Sequence, residues 1–125
     1  MQALIIVMLG GGLGAGMRHL TGLAMLRLIG PGFPYGTLTA NLVGGFLMGI
    51  LAGWLARYGH GGETWRLFLG VGVLGGYTTF SSFSLEVMLM FERGTFGTAL
   101  GYVALSVIGA VGALALGLAT MRAIG

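Results

Sequence analysis

Apolar residues run in four long blocks along the chain, and the few charges fall between them. No charged side chain occurs from Met1 to Met17, from Leu28 to Ala56, from Leu67 to Leu85, or from Gly94 to Met121. A helix needs about 20 consecutive, mostly apolar residues to cross the hydrocarbon. The blocks therefore predict spans over about 3–26, 36–56, 67–90 and 96–121, each to within about three residues. None alternates with the period of a barrel strand, and open sheet edges are not tolerated in lipid, so the spans are helices. Gly30-Pro31-Gly32-Phe33-Pro34, Gly59-His60-Gly61-Gly62-Glu63 and Glu92-Arg93-Gly94 supply turns between them. Connections this short join antiparallel neighbours in a bundle. The expected fold class is an all-α membrane protein with four transmembrane helices, residues 1–125 forming one domain and Met1 onward read as mature structure.

Composition narrows the function classes. Charged residues are 7% and hydrophobic ones 56% of the 125 residues, and the mean hydropathy is +0.97. Nine charged side chains cannot solvate the surface of so small a body, which argues against a water-soluble enzyme or nucleic-acid-binding domain. The net charge of +3 comes from scattered arginines with no basic run, so no nucleic-acid partner is expected. There is no cysteine, which removes thiolate chemistry, and the two histidines do not make a catalytic or metal constellation. Gly70-x-Gly72-x-x-Gly75 matches a dinucleotide fingerprint as a string, but it lies inside a span with no strand before it.

Charge placement bears on orientation. With four spans, Arg57, Arg66 and Arg122 share one side, while Arg27 and Arg93 belong to the other, joined by Arg18 if it sits near the end of helix 1. Neither side carries the excess of positive charge that fixes direction. Either a weak bias is resolved by an external factor, or the chain inserts both ways round and pairs as an antiparallel homodimer. Small residues four apart let helices approach closely in lipid: Gly10/Gly14 and Gly12/Gly16 in helix 1, Gly45/Gly49/Gly53 in helix 2, Gly109/Ala113/Gly117 in helix 4.

Polar groups inside the spans are costly unless paired, and so mark candidate chemistry. Thr37 and Asn41 lie one turn apart in helix 2. Asn41 serves either as an interhelical hydrogen bond or as an amide donor to a permeating solute. In helix 3, Gly75-Gly76-Tyr77-Thr78-Thr79-Phe80-Ser81-Ser82-Phe83-Ser84 sets two glycines before a run of hydroxyls and aromatics, which are poor helix formers. A break at mid-membrane is expected there, of the kind that builds ion sites. Phe80 and Phe83 turn ring edges of positive potential toward the donors Asn41, Thr79 and Ser82, a lining suited to an anion. Tyr102 and Ser106, one turn apart in helix 4, extend that track. Glu86 is read as lying toward the end of helix 3. Arg18, beside His19, either snorkels to the interface or draws anions to a vestibule.

These residues resemble a known family. Gly11-Gly12-Leu13-Gly14-Ala15-Gly16-Met17-Arg18, Gly36-Thr37-Leu38-Thr39-Ala40-Asn41-Leu42-Val43-Gly44 and the helix 3 run are similar, in order and over essentially the whole chain, to the Fluc (CrcB) fluoride channels. The resemblance implies an antiparallel, dual-topology homodimer in a bacterial or archaeal inner membrane that exports fluoride passively through two pores. It implies a central structural sodium ion (Na+) held by main-chain carbonyls of Gly75 and Thr78. It further implies pore roles for Asn41, Phe80, Phe83, Tyr102 and Ser106, and a vestibule role for Arg18. The chain departs from the family pattern at His19, Ser82 and Ala110, and the last shortens the helix 4 polar track. The alternative function is a small multidrug-type proton-coupled exporter, but that class uses a carboxylate in helix 1 and this helix 1 has none.

Overall fold

A computed structural model describes residues 1–57 and 62–124. Helix α1 spans Gln2–Leu28 and α2 spans Tyr35–Arg57. The short α3, Gly62–Trp65, runs into a π-helical stretch, Arg66–Leu74, and then a single turn, α4, Gly75–Tyr77. After an interruption at residues 78–80 the chain resumes as α5, Ser81–Glu92, and ends in α6, Phe96–Ile124. Helices α1, α2 and α6 are long and apolar enough to cross a membrane, and their ends fall within the expected margins. The protein is a multi-pass membrane protein, and its third span is broken where the glycine–hydroxyl run predicts. Of the expected second turn, Gly59-His60-Gly61 lies outside the described residues.

Glycines set how closely the helices meet. A Cβ on Gly10 would lie 2.6 Å from the Phe68 carbonyl oxygen and 3.0 Å from Gly72 Cα, and one on Gly14 would run into the Val73 carbonyl. Helix α1 therefore lies directly on the backbone of the third span. Its partners there are Gly10, Gly11 and Gly14, with Gly11 facing Gly76, whereas Gly12 and Gly16 face open space. The expected Gly12/Gly16 contact is not made within the chain. The π-helical stretch was not legible from the pattern. It occurs where Gly70 and Gly72 weaken α-helical preference and the α1 backbone presses against the coil, conditions under which the wider i→i+5 winding is tolerated.

The α2–α6 pair has the small-residue contact expected of it. A Cβ on Gly45 would lie 2.8 Å from the Ala110 carbonyl oxygen, Gly49 faces Leu114, and Gly53 faces Met121. The contacts advance in the same direction along both helices, so α2 and α6 run parallel. Stepping back one turn at a time from Gly45 and Ala110 aligns Asn41 with Ser106, and then Thr37 with Tyr102. That register decides which polar residues meet.

Candidate functional site

The break is held open by a side chain that imitates backbone. Thr78 takes an extended conformation (φ −81°, ψ 158°), while its N–H and its hydroxyl both donate to the Leu74 carbonyl at 3.0 Å. The next residue turns to helix α2 for its partners. Thr79 N–H donates to Asn41 Oδ1 at 2.8 Å, and Asn41 Nδ2 donates to the Thr79 carbonyl at 3.0 Å. In an unbroken α-helix, Thr79 N–H would donate to Gly75 and Ser82 N–H to Thr78. Ser82 N–H instead donates to Thr79 Oγ1 at 3.2 Å, so Thr79 caps the restart of the helix. Ser84 N–H then donates to the Phe80 carbonyl at 2.8 Å and regular winding continues. The carbonyls of Gly75 and Thr78 have thus lost their ordinary i+4 donors.

Neutral oxygens freed in this way suit a hard, singly charged cation. Among the described residues no group of three His, Asp or Glu side chains converges to hold a metal, which leaves carbonyls as the fitting donors. Two carbonyls from one chain are too few to replace a hydration shell.

The aromatic residues on the restarted helix diverge in burial. Phe80 is 77% exposed, whereas Phe83 is only 7% exposed, although their ring centroids lie 5.6 Å apart. Phe80 borders an open cavity of about 340 Å³ with Asn41, Thr78, Thr79 and Ala110. Phe83 packs inward on Tyr102 at 5.2 Å, and Tyr102 meets Phe33 edge-on at 5.2 Å. Ala110 stands where the helix 4 track reaches this cavity, so the track ends there without a hydroxyl.

Tyr102, Glu86 and Thr37 form a part-buried polar cluster that the pattern along the chain does not reveal. Tyr102 is fully buried, and its hydroxyl donates to Glu86 Oε1 at 2.9 Å while Thr37 Oγ1 donates to Glu86 Oε2 at 3.0 Å. Glu86, expected toward the end of helix 3, lies in the last segment of that span and points into the bundle. A signal was available, because Glu86 lies three residues after the inward-facing Phe83 and so shares its face. A cavity of about 270 Å³, lined in part by Thr37, Tyr35 and Pro34, opens onto this carboxylate. Ser106 Oγ is buried and makes no hydrogen bond among the described residues. A buried hydroxyl left so costs about 1–3 kcal/mol unless something polar reaches it.

Arg18 is half-buried and His19 exposed on α1. Arg18 stands one turn before Thr21, whose hydroxyl shares a 2.8 Å hydrogen bond with Tyr77 at the end of α4. At the opposite membrane surface, Arg66 pairs with Glu63 and holds that exposed carboxyl below its ordinary range.

The chain can now be set beside known proteins. Residues 5–118 match the family model described as "CrcB-like protein, Camphor Resistance (CrcB)". A relative from Phenylobacterium zucineum is 59% identical over 123 residues, covering 98% of this chain and 97% of its own. One from Sphingopyxis alaskensis is 57% identical over 122 residues, with 98% and 97% covered. One from Caulobacter vibrioides (strain NA1000 / CB15N) is 54% identical over 123 residues, with the same shares. All three are named "Fluoride-specific ion channel FluC". A match that takes in the α1 glycines, the Asn41–Thr79 clamp and the α6 track together means that this chain belongs to the CrcB family.

Proposed function

We propose that this protein is a fluoride-selective channel of a bacterial or archaeal inner membrane, carrying fluoride passively out of the cytoplasm. Two copies inserted in opposite directions form the working unit, with two pores and one central sodium ion. The reciprocal Asn41–Thr79 pairing carries this reading. It frees the Gly75 and Thr78 carbonyls, and the second copy doubles them into a four-oxygen set for sodium. The names of the relatives supply the identity of the ion.

Fluoride is small and strongly hydrated, so a path must replace its water with donors. Asn41 keeps one Nδ2–H beyond the one given to Thr79. The hydroxyls of Thr79, Ser82 and Ser106 and the ring edges of Phe80 and Phe83 complete the lining, and Tyr102, whose one hydroxyl proton goes to Glu86, borders it. Ser106, buried without a hydrogen bond among the described residues, is the group with most to gain from a passing anion. Phe80 faces outward and so lines a path shared with the partner copy, while Phe83 lines it from within. The Arg18 charge concentrates anions at the entrance.

Fluoride efflux from reconstituted vesicles tests the reading, with a potassium ionophore balancing charge. A passive channel gives the same efflux with and without a proton uncoupler. No efflux, or efflux that requires the proton gradient, would overturn it.

A further inference from the structure

Another cavity extends from the break toward one membrane surface. It encloses about 580 Å³, has no polar lining, and is walled by Leu47, Ile50 and Trp54 of α2, Trp65 and Val73 of the third span, and Met121 of α6. It opens on a different side of α2 from the exposed Phe80. Met48 faces the side of the break, whereas Leu47, Ile50 and Trp54 are each turned by more than a quarter of the helix away from it.

The groove runs from the helix 3 break to one membrane surface. Tyr77 closes its inner end, and Trp54, Trp65 and Met121 frame its mouth. Two tryptophans at one level mark the headgroup interface. The side chains that follow the mouth are cationic: Arg57 one turn after Trp54, Arg66 beside Trp65, and Arg122 beside Met121. Gly53 lies against Met121, which brings the C-terminal ends of α2 and α6 side by side. Glu63, the acidic side chain of this end, is already engaged by Arg66. An apolar slot with a cationic rim is the shape of an acyl chain joined to an anionic headgroup.

We propose that this groove binds one acyl chain of an anionic phospholipid, with Arg57 and Arg122 at its phosphate. The site is independent of the fluoride path and stands on the charge and shape of this end of the bundle. It also answers a packing need. An empty apolar slot of this size would deprive α1, α2 and the third span of contacts that a lipid chain restores.

Both tryptophans of the chain line the groove, so their fluorescence reports its occupant directly. The protein is reconstituted into phosphatidylcholine vesicles containing a minor fraction of phosphatidylglycerol, with the bromine quencher on the chains of one lipid or the other. Brominated phosphatidylglycerol should quench more strongly than brominated phosphatidylcholine at equal fraction, reflecting a binding preference of roughly fivefold for each arginine engaged. The R57Q/R122Q pair should lose that preference, and Ile50→Phe, which fills the slot, should lower quenching by both lipids. Equal quenching by the two lipids in the unaltered protein would overturn the proposal. So would undiminished quenching by both lipids in Ile50→Phe, or absence of quenching by either lipid, the result expected if a protein surface covers the groove.

Discussion

Replacing Asn41 by leucine, a residue of similar size without polar atoms, tests what holds the third span open. Two hydrogen bonds to Thr79 are lost, at 2.8 and 3.0 Å in the structure. At about 1 kcal/mol each, the broken conformation loses about 2 kcal/mol of support. That corresponds to a roughly thirtyfold shift in the balance between broken and continuous helix. Thr79 N–H then finds its nearest alternative acceptor in the Gly75 carbonyl, one turn back. The helix heals, and a carbonyl proposed for sodium is consumed. The initial rate of fluoride efflux from vesicles should therefore fall by about tenfold or more, while helix content by circular dichroism stays level or rises slightly. An efflux rate indistinguishable from that of the unaltered protein would refute the argument, because nothing else in the structure holds both polar atoms of the Thr79 peptide.

Other perturbations separate packing from conduction. Gly14→Ala drives a methyl into the Val73 carbonyl and should destabilise the bundle by about 1–3 kcal/mol in thermal unfolding. Gly16→Ala, which meets nothing within 4 Å, should be neutral or stabilising by up to about 1 kcal/mol in the same measurement. Phe80→Ile should sharply reduce fluoride efflux with little effect on unfolding, since that ring is 77% exposed and contributes little to the chain's own core; undiminished efflux would remove it from the lining. Reporters fused to the C-terminus should be found on both sides of the membrane, and a single-sided result would defeat dual insertion.

Much of the fold could be read from local pattern. Charge-free blocks fix spans because lipid punishes charge wherever it sits, whatever the neighbouring helices do. The break was legible for the same reason, since adjacent glycines and hydroxyls weaken a helix through their own conformational preferences. The partners of Glu86 were not legible, because distance from a span end says nothing about which face that residue occupies. Its environment is set by Thr37 and Tyr102, which lie 49 and 16 residues away. The π-helical winding was likewise hidden, because it depends on how closely α1 presses on Gly72.

The sequence by itself determined the number of spans, the site of the interruption and the small-residue faces, all consequences of solvent and of short-range sterics. Only the tertiary structure decided that Asn41 closes on the Thr79 peptide, that Thr37 and Tyr102 share one carboxylate, and that Phe80 and Phe83 part company. These follow from the parallel register of α2 and α6 and from the restart of the helix as α5 after the break. Such contacts join residues far apart in the chain, and no local periodicity encodes them.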